Sequence, residues 1–222
     1  MVRNSRSHEN LSGTGSTTWA MGSLYVGDAG AGTLNVTHGS LVTVTGTTYV
    51  AYASTATGSI NFGPNGGTLT TQSLYGSPAQ VTGTRTINAR GLVADGTVVF
   101  DATHGATQSL PWVNTQQNVI LNLDLTGASG AVGDLGAGYL GTGALAIRTG
   151  VVVTSANGYL GYNHASIGTA TIEGNGSKRT VVGLYVGNSG AGTLIVTNVG
   201  KAAGPSTYGA QGVVDGAFPA SI

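Results

Sequence analysis

Residues 24–37 read LYVGDAGAGTLNVT, and residues 184–197 read LYVGNSGAGTLIVT. The two segments agree at 11 of 14 positions although one stands near the start of the chain and the other near its end, which chance does not produce. Apolar side chains stand at every second place: Leu24 with Val26 and Leu34 with Val36 in one copy, Leu184 with Val186 and Leu194 with Val196 in the other. A period of two sets those side chains on one face of a β-strand. The Gly-Ala-Gly between the runs supplies the positive φ values that a tight turn needs.

A longer variant, YVAYASTATGSINF at residues 49–62, corresponds to YLGYNHASIGTATI at residues 159–172. Both carry two tyrosines three residues apart and a glycine six residues after the second; Ile60 and Phe62 continue the alternation. The leading tyrosines serve as markers, stepping from Tyr25 to Tyr49, from Tyr139 to Tyr159 and from Tyr159 to Tyr185. Their recurrence every roughly 20–26 residues suits one turn of a solenoid. Strands this short cannot bury their inward side chains alone. Stacking equivalent strands of successive repeats about 4.8 Å apart makes a continuous core and pairs the backbone. The predicted fold is therefore all-β, a parallel β-helix (β-solenoid) built from roughly 20–26 residue coils. About ten such coils would form a rod on the order of 45–50 Å long. A β-sandwich is the competing architecture, and it does not explain near-identical segments at this spacing.

Composition agrees with an ordered, turn-rich chain. Of 222 residues 39 are glycine, and only 7% are charged. Eight basic residues balance eight acidic ones, so nothing in the charge points to nucleic acid or to an anionic membrane. Without cysteine there are no disulfides, thiol nucleophiles or thiolate metal sites. No apolar run reaches the roughly 18 residues of a membrane helix, and MVRNSRSHENLSG has no signal-peptide core.

The repeat resembles one shared by autotransporter (type V secretion) passengers and PEP-CTERM-associated surface proteins. The resemblance rests on Gly13, Gly15, Ser16, Thr17 and Trp19 ahead of the first LYVG copy, on the L-Y-V-G-x-x-G-x-G-T-L-x-V-T pattern, and on the longer tyrosine variant. It covers about residues 13–62 and 139–197. The second copy departs from it, because Gly174, Gly176 and Ser177 run into Lys178 and Arg179 with no tryptophan. The resemblance implies a β-helical passenger segment of an exported bacterial surface protein, with no catalytic residues to carry over. On this reading the chain is an internal fragment displayed at the cell surface or outside the cell. Residues 1–12 are expected to be disordered, residues 13–199 to form the repeats with an irregular middle at 63–138, and residues 200–222 to form an irregular tail.

The middle holds strand-like runs, among them NVILNLDL with Val119, Leu121, Leu123 and Leu125 predicted inward. Its connections TRTINARGLVADG and THGATQSLPWVNTQQ are long enough to protrude, and protruding loops on rigid scaffolds are where binding resides. Arg90, Asp95, Asp101, His104 and Trp112 are accordingly the candidate ligand contacts, for host or matrix glycans or surface polymers. An alternative function is carbohydrate binding or polysaccharide cleavage. Cleavage needs two or three carboxylates brought together, and Asp124 and Asp134 are the other acids that could join Asp95 and Asp101. The plainer reading makes all four turn caps.

The four histidines, His8, His38, His104 and His164, show no metal-ligand spacing, and no cofactor or metal is expected. Gly136, Gly138 and Gly141 spell a dinucleotide fingerprint, but the following TGALAIRTG reads as strand rather than helix. Tyr25, Tyr49, Tyr139, Tyr159 and Tyr185 are expected to form a column, either structural or sugar-binding. Open strand edges at the ends of such a stack favour end-to-end self-association.

Overall fold

In a computed structural model the chain is all-β, with parallel sheets, and the structure describes residues 6–11, 17–63, 65–114, 117–198, 200–204, 207–208 and 212–215. Gly13, Gly15 and Ser16 of the resemblance lie outside the described residues. The chain divides into two compact units, one comprising residues 1–90 with 109–123, the other residues 91–108 with 124–222.

In the first unit each repeat contributes strands to three parallel columns. Leu24–Val26 pairs with the end of Leu41–Val50, which pairs with the end of Thr68–Tyr75; the register aligns Tyr25, Tyr49 and Tyr75. Thr18–Met21 pairs with the start of Leu41–Val50, and that with the start of Thr68–Tyr75. Ala31–Val36 lies between Arg6–Leu11 and Thr57–Phe62, which pairs onward with Val81–Ala89. Backbone pairing thus begins within the first twelve residues. The alternation does the packing: Leu34, Val36, Ile60 and Phe62 are all buried, and the residues between them point outward.

The second unit repeats the arrangement. Leu92–Ala94 pairs with Leu135–Ala137, which pairs with the end of Val152–Leu160, which pairs with the end of Lys178–Val186. Gly96–Phe100, Thr142–Ile147, Ile167–Glu173, Ala191–Thr197 and Gly212–Asp215 form a second column. The start of Val152–Leu160, the start of Lys178–Val186 and Lys201–Ala203 form the third. Parallel pairing therefore continues past residue 200.

Two expectations change. The connection at residues 84–96 does not protrude: most of it lies in the strands Val81–Ala89 and Leu92–Ala94, with Ile87, Ala89, Leu92, Val93 and Ala94 buried. Its apolar residues alternate well enough to pair, which outweighs the Gly and Arg that suggested a loop. The marker Tyr139 is also displaced, since the register sets Gly136, not Tyr139, opposite Tyr159. The true step of the repeat runs from Gly136 to Tyr159, and Tyr139 neighbours Tyr162 instead, with ring centroids 5.7 Å apart. The strand NVILNLDL behaves as read, with Val119, Leu121, Leu123 and Leu125 buried.

The turns after the strands that end at Val26, Val50, Ala137, Leu160 and Val186 take a left-handed residue. Gly27, Gly138, Gly161 and Gly187 take φ near +70° to +80°, whereas the equivalent Ala51 sits at φ 63°. A left-handed alanine costs roughly 1 kcal/mol that glycine does not. Ala51→Gly is therefore expected to raise stability by up to about 1 kcal/mol, read as a higher urea midpoint; an unchanged or lower midpoint contradicts the assignment.

Candidate functional site

The candidate contacts divide by unit. Arg90 and Trp112 belong to the first. Arg90 is half-buried where Val81–Ala89 ends, its amide donating to the carbonyls of Thr71 and Gln72. Trp112 is buried in the strand Thr107–Asn114, whose neighbour Val113 is 60% exposed. Asp95, Asp101 and His104 belong to the second, together with Asp124 and Asp134.

Asp95 and Asp101 flank the strand Gly96–Phe100, so they stand at its opposite ends. Six residues of extended chain span about 20 Å, far more than the roughly 5 to 10 Å between paired catalytic carboxylates. Each is also engaged in a turn. One oxygen of Asp95 accepts the amides of Tyr139 (2.8 Å), Leu140 (3.2 Å) and Gly141 (2.9 Å), pinning the turn that follows Leu135–Ala137.

Asp101 caps its own turn. Its Oδ1 accepts from the amides of His104 (2.9 Å) and Thr103 (3.0 Å) and faces His104 Nδ1 at 3.0 Å, while Oδ2 accepts from Arg148 Nη2 at 3.2 Å. The backbone bond from His104, helped by those from Thr103, the His104 ring and Arg148, holds the carboxyl down at about 2. Such a group is ionised throughout the neutral range and serves poorly as a proton donor or as a base poised near neutrality. Asp101, His104 and Arg148 are thus brought together as a cross-strand cap, since Arg148 follows the strand Thr142–Ile147 that pairs with Gly96–Phe100.

Asp124 is likewise lowered to about 2, by Ser129 first and then by the hydroxyl and amide of Thr126. Asp134 accepts from the amide and side chain of Asn157 at 2.8 and 3.1 Å. Among the described residues no group of three His, Asp or Glu side chains converges to hold a metal. After Gly136, Gly138 and Gly141 the chain enters the strand Thr142–Ile147, so no helix N-terminus faces those glycines.

The depressed carboxyls set a pH dependence. Their folded values lie below the ordinary 3.8, so the unfolded chain binds protons first as pH falls. The stability they contribute is complete above about pH 4 and is lost as pH falls through about 2. The melting temperature is expected to be flat from pH 7 to 5 and to drop between 4 and 2. Asp124→Asn should flatten that drop; an unaltered acid limb in the variant argues against the assignment.

The tyrosines form a cluster in each unit. Tyr49 lies between Tyr25 (5.0 Å between centroids, planes 19° apart) and Tyr75 (4.7 Å, 43°), with Tyr52 edge-on to both Tyr25 and Tyr49. In the second unit Tyr159 stacks on Tyr185 at 4.9 Å and 8°, with Tyr162 edge-on at 5.1 Å. Sugar rings bind to the open faces of aromatic rings, and here the inner faces are covered by neighbouring tyrosines. Tyr75 escaped the sequence reading because no LYVG signature surrounds it.

Comparison with known proteins adds one partial likeness. A stretch of 63 residues, 28% of the chain, is 41% identical to the "Uncharacterized lipoprotein YdeK" of Escherichia coli (strain K12). The chain covers 5% of that protein's length. No family model matches the chain, and no solved structure matches it.

Proposed function

We propose that this chain is a stretch of parallel β-helix serving as a rigid structural or adhesive module of an exported bacterial surface protein, of the kind found in autotransporter passengers and PEP-CTERM-associated proteins. The observation that carries this reading is the register: in each unit, equivalent strands of successive repeats pair in parallel, position on position. Pairing of that kind repeats one structural unit along an axis, which builds reach and stiffness rather than a cleft. The engagement of Asp95, Asp101, Asp124 and Asp134 in turns supports a non-enzymatic role. The likeness to a protein named as a lipoprotein supports a place at the cell envelope.

Contact with glycans or surface polymers, on this reading, falls to the exposed segments, among them the turn at residues 126–130 and the strand around Val113. An epitope tag placed in residues 126–130 of the protein in its native host tests the proposal. Antibody labelling of intact cells is the expected result, and labelling only after lysis overturns it. The enzymatic alternative has its own test, because release of reducing ends or unsaturated products from polysaccharides, lost in Asp101→Asn, would replace the structural reading.

A further inference from the structure

In the second unit the register aligns Leu92, Leu135, Gly158 and Leu184 in one inward column. The three leucines are buried, and the glycine interrupts them. The missing side chain is replaced by the guanidinium of Arg179. A Cβ on Gly158 would lie 2.5 Å from Arg179 Nη2 and 3.1 Å from its Cζ, so the glycine is what admits the group.

Arg179 enters from the neighbouring strand position, between Val153 and Ala202 in register. Its Nη2 passes Gly158 and donates to the carbonyl of Leu135, 2.6 Å away and two repeats distant. The side chain is 1% exposed, yet Nε and Nη1 find no hydrogen-bond partner among the described residues.

Burial lowers this guanidinium to about 10, which leaves it charged at neutral pH. Among the described residues Arg179 forms no ion pair, and burial is the one influence on its guanidinium. A carbonyl satisfies one donor but supplies no compensating charge. A desolvated cation in that position is strongly disfavoured unless a negative charge accompanies it.

We propose that the interior of this unit binds a small monovalent anion, of which chloride is the model, against the guanidinium of Arg179. The surroundings select the class of ion. One positive charge calls for one negative charge, and a divalent oxyanion would carry a larger dehydration cost into a wall of Val153, Leu184 and Gly158. Close-packed interiors admit a single atom more readily than a polyatomic group.

The experiment uses the whole chain in sodium gluconate at fixed ionic strength, with gluconate replaced stepwise by chloride or bromide. The melting temperature of the native protein is expected to rise by several degrees with the logarithm of halide concentration, and that of Arg179→Met to stay level. Crystals grown in sodium bromide are expected to show an anomalous peak in hydrogen-bond contact with Nε or Nη1. A halide response equal in both proteins overturns the proposal. So does the lack of a bromide peak at the guanidinium, a result that would assign the site to water, and this measurement decides the matter if Arg179→Met does not fold.

Discussion

Gly168→Ala is expected to destabilise the second unit by about 3 kcal/mol or more, placing it among the most damaging single substitutions available in this chain. The added Cβ would overlap the carbonyl oxygen of Ala137 and the amide nitrogen of Gly161, and would lie 2.8 Å from the carbonyl carbon of Leu160. All three are backbone atoms, which cannot swing aside as a long side chain can. The same approach recurs through the repeats: Gly32 beneath Gly27, Gly58 beneath Ala51, Gly143 beneath Gly138 and Gly192 beneath Gly187. The strand that begins each G-T/G-S/G-A step thus passes against the turn that closes the preceding LYV-type strand. Relief of that clash requires the turn to open, which breaks pairing with the next repeat. Urea denaturation of Gly168→Ala should show a much lower midpoint. Gly105→Ala, whose Cβ meets nothing within 4 Å, should fall within about 0.5 kcal/mol of the native protein. Similar midpoints for the two variants would refute the packing argument.

This glycine framework explains what could be read in advance and what could not. Inward and outward faces were legible because a strand's period of two depends on nothing beyond the chain itself; Leu34, Val36, Leu194 and Val196 needed no knowledge of their neighbours. Register was less so, because it depends on which atoms approach across repeats. The tyrosines are the conspicuous letters, and aligning on them misplaced the repeat at Tyr139, whose true marker is Gly136. Aligned on glycines instead, Leu135, Gly136, Ala137 and Gly138 match Leu24, Tyr25, Val26 and Gly27, with Gly143 falling on Gly32. Tyrosine at the second place is dispensable, while glycine at 32, 58, 143, 168 and 192 is sterically required.

The candidate contacts were legible only as residue types. Aspartates beside glycine-rich turns fit a binding loop and a turn cap equally well in a sequence. What separates the two is the direction of the neighbouring amides, which Asp95 collects from Tyr139, Leu140 and Gly141 on the adjoining repeat. Arg179 lay in plain view beside Lys178, where the second copy departs from the repeat pattern. Its burial follows from a second, distant departure, the glycine at 158 where the column carries leucine, and only the register joins the two positions. In the first unit the same column reads Leu24, Thr48 and Leu74, and the interruption is handled without charge: Thr48 donates to Thr71, whose hydroxyl contacts the carbonyls of Gly46 and Ser73.

The second large effect is expected at Tyr49, where replacement by alanine should cost the first unit about 3 kcal/mol. This ring is the centre of its cluster, touching Tyr25 and Tyr75 across the sheet and Tyr52 from the adjoining turn. Each such aromatic pair contributes about 0.5 to 1.5 kcal/mol beyond the area it buries, and the alanine removes three at once. Tyr52 sits at the rim, 40% exposed, and its removal should cost only about 1 kcal/mol. Tyr49→Phe retains the ring and its stacking, so it should stay within about 1 kcal/mol of the native protein. Urea midpoints for the three variants give the comparison, and equal losses at Tyr49 and Tyr52 would sink the idea that stacking along the column is what the rings do. The series also separates structure from recognition. A column evolved to hold sugars should lose oligosaccharide binding on Tyr52→Ala, the most open ring, with little change in stability, whereas a structural column should lose stability in proportion to the neighbours each ring covers. The covered faces of Tyr49 and the near-parallel contact of Tyr159 with Tyr185 favour the second outcome.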